Sequence, residues 1–445
     1  MNNSLTFVDS QADAKHKISA QNDAGEMLLL KRGIWLYFLL LIFEGAFRKW
    51  FLPGLSTPLL VIRDPIALWL IFKAIKNGLL PANVYLLGMT FIGLIGVFTA
   101  IFLGHGNLMV ALFGARILII HFPLMFVIGN IFDHKDVENV GKALLLISIP
   151  MVVLVAIQFY SPQSAWVNRG VGGDEGGAGF SGAMGFFRPP GTFSFTNGNA
   201  LFFAFVARFI LYFWLNPKNI SRILLIAATI GLIVAIPLSI SRGLFFSVAI
   251  GVFFAVFAML RKPQLIGQAI LISGIGFISL GVLSKTKFFN TSTEAFMSRF
   301  ETANKTEGGV SGVLGTRFIG GISGSIMGSS KIPFFGYGMG MGTNAGAMLL
   351  TGGNGFLISE EEWGRLIGEL GPLLGISVIL IRVALTLKMA LFSLRKLNSG
   401  DILPWILLSF GVLLIPEGQW SQPTGLGFST LIGGLIIASF NKEQD

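Results

Sequence analysis

Apolar runs, each long enough to cross the ~30 Å hydrocarbon core of a bilayer as a helix of about 20 residues, recur along almost the whole sequence. Such runs leave few folds open. In lipid every backbone N–H and C=O must be satisfied internally, so apolar segments of this length form helices. Only 12% of the residues are charged, against about 25% in soluble domains, and mean hydropathy is +0.75. The expectation is an all-α polytopic membrane protein with about 12 transmembrane helices. A long outer loop separates helices nine and ten. The chain has no cysteine, which excludes disulfides, Fe–S clusters and thiol nucleophiles. Its four histidines (His16, His105, His121, His134) show no zinc-ligand spacing.

The spans read from the sequence are 33–47, 58–75, 84–103, 108–128, 143–160, 194–214, 223–240, 244–260, 265–283, 365–387, 402–415 and 425–440. Basic pairs set their direction. Lys31/Arg32, Lys73/Lys76, Lys135/Lys142, Lys218/Arg222, Arg261/Lys262 and Lys388/Arg395/Lys396 all fall on one side of alternating spans, the cytoplasmic side by the positive-inside rule. The formal charge of +10 therefore reflects loop bias and not nucleic-acid binding. Residues 1–32 read as a polar cytoplasmic tail, without a signal-peptide pattern. Residues 33–440 read as one transmembrane catalytic domain and 441–445 as a second short tail. Loops 161–188 and 284–364 then face outward.

The most informative stretch is Ser359–Gly375, where a polar loop meets an apolar run. Glu360, Glu361 and Glu362 are followed by Trp363, Arg365 and Glu369. Charge costs about 2.5–3.5 kcal/mol per residue at mid-bilayer, so it is retained mainly where it works or pairs. Arg188, Arg242, Arg317 and Arg365 read as candidate phosphate-oxygen binders, because the guanidinium fork fits such oxygens. The plainer reading is snorkelling to the interface, which suits Arg48 and Lys49. Glu360 or Glu362 is the candidate general base for an attacking hydroxyl. Against that stands an acidic first turn favoured by the helix dipole, or a Mg²⁺ or Ca²⁺ site. Glu369 is expected to brace Arg365, four residues away. Arg116 is expected to pair with Glu44 or Glu369, and Arg63 and Asp64 read as structural. The run Gly336–Gly342 lacks the strand-turn-helix context of a phosphate loop and reads as a mobile turn. The eight glycines of 170–185 read as a flexible cover. Trp363 and Trp420 are candidates for stacking on sugar rings.

Three stretches together resemble the O-antigen polymerase/ligase superfamily: Arg188-Pro-Pro-Gly-Thr-Phe-Ser-Phe-Thr-Asn197, Ser241-Arg242-Gly243, and Glu369-Leu-Gly-Pro-Leu-Leu-Gly375 after the long loop. The likeness covers about residues 33–440. It implies an all-helical, metal-independent membrane glycosyltransferase without cofactors that acts on undecaprenyl-diphosphate-linked glycans, with Arg188 and Arg242 engaging the diphosphate. Ligases of the family carry a His-Asn pair where Glu360 stands here. That departure favours a polymerase, which joins one lipid-linked oligosaccharide to the next and works in the bilayer beside a chain-length or export partner. The stretch from Gly45 to Trp50, with Arg63-Asp64-Pro65, resembles a subgroup of exopolysaccharide polymerases. Rival readings are a ligase with a different acceptor and, from another class, a secondary transporter with a midplane site in broken helices.

Overall fold

The computed structural model describes residues 5–218, 220–262, 266–307, 332–353 and 355–441. The described chain is mostly helical. Its helices are α1 (Leu5–Ala46), α2 (Ser56–Leu59), α3 (Arg63–Lys76), α4 (Val84–Phe102), α5 (Leu108–Arg116), α6 (Phe122–Ile131) and α7 (His134–Tyr160). A hairpin of β1 (Phe180–Ala183) and β2 (Phe186–Arg188) follows, then α8 (Thr196–Leu215), α9 (Arg222–Leu238), α10 (Arg242–Arg261), α11 (Ile266–Leu283) and α12 (Lys287–Glu307). The last four are α13 (Asn344–Thr351), α14 (Glu362–Ser399), α15 (Leu403–Glu417) and α16 (Pro423–Ala438). Among the described residues six helical stretches are long and apolar enough to cross a membrane: 84–102, 108–131, 134–160, 196–215, 242–261 and 362–399.

Helix α8 is the axis of the bundle. Apart from the buried Arg208, which donates to Ser247 and Ser409, it is mostly apolar on every side, as suits an enclosed helix, and 89% of its apolar window is buried. It packs on α7, α9, α10, α15 and α16. Phe205 stacks on Phe410 of α15 at 5.3 Å and meets Phe428 of α16 edge-on at 6.2 Å. By contrast α4 and α10 turn Phe91, Phe98, Phe102, Phe253 and Leu260 outward, the surface expected of helices facing lipid.

Polar residues gather at the two ends of the bundle. At the end bearing the basic pairs, Lys31 bridges Asp133 and Asp136 at 3.1 and 2.6 Å, and Asp133 caps α7 in a capping box. The backbone departs from regular helix three times. Helix α1 runs into a π turn at Phe47–Phe51, and α5 joins α6 through another at Ile117–His121. Helix α14 breaks at Gly371, whose φ is +78°. Pro372 has no N–H, so the helix cannot satisfy the Gly368 carbonyl. Tyr337 N–H fills that place at 2.8 Å, and Gly338 N–H bonds the Glu369 carbonyl at 3.1 Å.

The segment that does this is Gly336–Gly342, expected to be a mobile turn. It is instead threaded between α4, α5 and α14. Gly336, Gly338 and Gly340 all have positive φ, and a Cβ on Gly340 would strike the Val110 carbonyl oxygen. Alternate glycines are what permit this close backbone crossing. The described part of the long loop thus carries α12, α13 and this buried crossing.

Candidate functional site

The first cluster is built on the strand leaving the hairpin. Met184 and Gly185 both have positive φ, the conformation of a two-residue hairpin turn, and the register sets Arg188 opposite Phe180. Beyond Arg188, Pro189–Ser194 is non-helical chain that turns at Gly191–Thr192 while buried among helices, so its carbonyls need donors from the protein. Asn199 Nδ2 donates to the Pro189 carbonyl at 3.1 Å. Lys49 Nζ and Gln158 Nε2 donate to Gly191 O at 2.7 and 3.1 Å, while Gly191 N–H returns a bond to Gln158 Oε1. Thr192 Oγ1 donates to Ile42 O at 2.6 Å and Arg48 Nη1 to Ser194 Oγ at 2.9 Å. Arg48 and Lys49, read from sequence as snorkelling residues, are therefore 8% and 1% exposed and anchor this strand. The glycine-rich loop before it is also docked and not a loose cover: Gly172 N–H bonds the Arg48 carbonyl at 3.0 Å, and Asn168 Nδ2 donates to the carbonyls of Gln158, Ser161 and Pro162.

Arg188 has no ion-pair partner among the described residues. Its guanidinium lies 5.9 Å from the Phe180 ring, and its Nε is buried without a hydrogen-bond partner. Burial lowers its affinity for the proton, and the nearby Arg299 cation lowers it further. Arg299 stands on α12, which packs against β1 and α9. Phe296 and Phe300 fix that helix against Phe245 at 6.0 and 5.7 Å, and Tyr160 Oη donates to Phe288 O at 2.6 Å. Arg299 too makes no ion pair among the described residues. It was missed from sequence, although Phe289, Phe296 and Phe300 share one face of the helix that carries it. Arg242 opens α10 behind Ser241, whose side chain accepts from Leu244 N–H at 3.2 Å. A Cβ on Gly182 would lie 2.6 Å from Ile240 Cδ1 and 3.5 Å from Arg188 Cγ. The Ile240–Arg242 hinge and the Arg188 strand are thus brought together.

The second cluster is the Ser359–Gly375 corner, and it is closed on itself. Glu362 takes two bonds from Arg365, at 2.8 and 3.1 Å, one from Arg382 at 2.7 Å and one from Trp420 N–H at 3.1 Å. Arg365 also reaches Glu369 at 2.6 Å, and Glu369 accepts from Gly342 N–H at 2.8 Å. Arg382 spends its other donors on Ile415 O and Gly418 O and lies 4.0 Å over the Trp420 ring. Glu362, Arg365, Glu369 and Arg382 are each 1–2% exposed. Arg382 and its role were missed because it sits mid-run, between apolar residues. Trp420, expected to meet sugars, is wholly buried, and Trp363 donates to Pro416 O at 2.9 Å. Glu360 and Glu361 face outward, and the Glu360 carbonyl accepts from Gln419 Nε2 at 3.1 Å. Glu417, beyond the apolar run of α15, is half-buried. Burial raises its carboxyl above the usual range and Glu361 raises it further.

The third cluster lies inside the bundle. Arg63 pairs with Glu44 at 3.0 Å, and Arg116 pairs with Asp64 at 2.8 Å. Arg116 was expected to pair with Glu44 or Glu369. Asp64 displaces both because α3 brings it to the α5 terminus, while Arg63 from the same turn takes Glu44. His121 joins Asp64 at 2.9 Å to Tyr37 at 3.1 Å. Arg317 lies outside the described residues. Arg188 shares no hydrogen bond or ion pair with the Glu362 cluster. Both clusters sit at the loop-bearing end of the bundle, Arg188 between the end of α7 and the start of α8 and Glu362 at the start of α14.

No family model, curated protein or solved structure matches the chain.

Proposed function

We propose that the chain is a membrane glycosyltransferase that extends a repeat-unit polysaccharide at the loop-bearing end of its helix bundle. One observation carries this reading. Arg299 acts on Arg188 as a nearby cation, and neither makes an ion pair among the described residues, beside a hairpin whose Phe180 and Phe187 are exposed, with exposed Phe195 just beyond it. Two uncompensated cations against an apolar surface suit an amphiphilic polyanion, and a lipid diphosphate is one. Arg242 opens α10 two residues after Ile240, which lies beside the same strand. Twelve crossings follow if α1, α3, α9, α11, α15 and α16 span along with the six long stretches. Both termini then lie in the cytoplasm of a bacterium and the loops outside its plasma membrane.

In the proposed step a hydroxyl oxygen of one lipid-linked oligosaccharide attacks the anomeric carbon of a second. The bond from that carbon to the diphosphate breaks, with inversion, and the lipid diphosphate leaves with its charge met by the guanidiniums. The hydroxyl proton passes to a carboxylate. Glu360 and the Glu361–Glu417 pair are the acidic groups free to take it, because Glu362 is held by two arginines. The polymer product would pass to a chain-length or export partner.

The test is gel analysis of lipid-linked saccharides in a deletion strain. Single repeat units should accumulate, and the native gene should restore polymer where Arg188→Ala does not. Full-length polymer in the deletion strain refutes the reading. Polymer that forms but stays on its lipid would point to the ligase reading instead. The break in α14 is a feature that a secondary transporter would also show. The charged groups beside it, however, satisfy one another.

A further inference from the structure

The outer face of the loop 161–179 carries one large ring that nothing in the fold requires to be there. Trp166 is 50% exposed, yet it is held as firmly as a core residue. Its indole stacks on Trp50 with centroids 5.5 Å apart and 25° between planes. Lys49 Nζ sits 4.6 Å from the centre of the Trp50 ring, giving an ordered stack of ammonium, indole and indole. The short turn Trp166–Asn168 is pinned by Asn168, which is 1% exposed and donates to three carbonyls, and by Gln158 Nε2 on Val167 O at 2.9 Å. A tryptophan that only marks a membrane interface needs no such support. The same loop carries exposed charged groups: Asp174, and Glu175 paired with Arg169 at 3.1 Å.

The geometry points to Trp166 as a glycan-binding platform, stacking its free face on the apolar C–H face of a pyranose ring while the neighbouring Arg169, Asp174 and Glu175 bond its hydroxyls. This deepens the polymerase reading and rests on it for the identity of the glycan: Trp166 would hold a sugar of the chain attached to the diphosphate. The placement fits that role. Lys49 touches both the Trp50 ring and Gly191 O, and Gly191 is three residues past Arg188. Three extended residues reach about 10 Å, so the platform lies within a few sugar lengths of the cations. A rigid aromatic surface loses little conformational entropy on binding, which is what supporting Trp166 from behind achieves.

The test uses the full chain, purified into nanodiscs and applied to a printed array of bacterial surface glycans. The native protein should bind at least one glycan. Trp166→Ala should weaken that binding at least tenfold, Trp166→Tyr should retain most of it, and Lys218→Ala, exposed at the opposite end of the bundle, should leave it intact. Thermal unfolding of Trp166→Ala within a few degrees of native confirms that the ring and not the fold was lost. Absence of any glycan binding by the native protein overturns the inference. So does binding by Trp166→Ala equal to native, including the case where that variant changes only membrane insertion. If Trp166-dependent binding stands while the deletion strain still makes full polymer, the platform is right and the polymerase reading is wrong.

Discussion

The Arg188 region and the Glu362 region sit at the same end of the bundle and treat charge in opposite ways. Around Glu362 two arginines and two glutamates are buried together, and nearly every donor and acceptor is used within the cluster. Around Arg188 a second cation, Arg299, acts on it, neither makes an ion pair among the described residues, and one guanidinium nitrogen of Arg188 is unbonded. A closed network holds α14 to α15 and stabilises only if it stays complete. An open cationic pair gives the fold little, because like charges repel. It is the arrangement expected where a ligand supplies the missing charge. Two sets of charged side chains that look alike in the sequence thus divide by whether the protein itself neutralises them.

The largest effect expected from this division is on stability. Removing one partner of a buried pair leaves a charge uncompensated and costs about 3–5 kcal/mol. Glu362→Gln or Arg382→Ala should lower the thermal unfolding temperature in detergent sharply, and the double change Glu362→Gln with Arg382→Met should recover part of the loss. Single variants that unfold like native protein would show that the network is not closed. On the other side, Arg188→Ala should leave unfolding within about 1 kcal/mol, the ordinary range of substitutions that break no buried pair. Its effect should fall on catalysis, at about 3 kcal/mol of transition-state stabilisation by analogy with oxyanion donors, or roughly a hundredfold in rate. Arg299→Ala should follow the same pattern. Polymer synthesis by membranes, compared with unfolding of the same variants, separates the two classes of residue.

The sequence announced the helices because periodicity and length suffice for them. It announced the i,i+4 pairing geometry of Arg365 and Glu369 for the same reason. What it did not announce depended on chain segments distant in number. Arg382 lies one long turn-count beyond Glu362 on a helix broken at Gly371, so helical phase could not relate them. Asp64 takes Arg116 because three helices meet, which no local pattern encodes. The Gly336–Gly342 run has the composition of a mobile turn. Only the Pro372 break, with its unsatisfied carbonyls, explains why that run is bound. Arg299 was hidden within an amphipathic segment that reads as plain surface.

Gly336 and Gly371 offer an intermediate test of how tightly the Glu362 region is assembled. Both have positive φ, and at each a Cβ would meet backbone across the crossing. Alanine at Gly371 adds backbone strain to that collision, so a loss of about 1–3 kcal/mol is expected. Alanine at Gly185, where φ is +79° but space is open, carries the strain alone and should cost less. Equal losses at Gly371 and Gly185 would show that the crossing yields to a side chain.

The smallest expected effect concerns Glu417, which lies between the two regions in character. Its carboxyl is raised by burial first and by Glu361 second, with Arg382 opposing. A carboxyl raised in the folded chain favours its protonated form there. Its contribution to stability is full below the ordinary carboxylate value and is lost as pH rises through the raised one. At neutral pH native protein has therefore already lost that contribution, whereas Glu417→Gln keeps an uncharged side chain throughout. The variant should be slightly more stable than native at pH 7, by under about 1 kcal/mol because solvent screens one side, and the two should converge at low pH. Thermal unfolding of both proteins across that range checks the sign. A gain at pH 7 accompanied by loss of polymer synthesis would mark Glu417 as a group held in an unfavourable state for the sake of the reaction. A gain without such loss would return the role of base to Glu360.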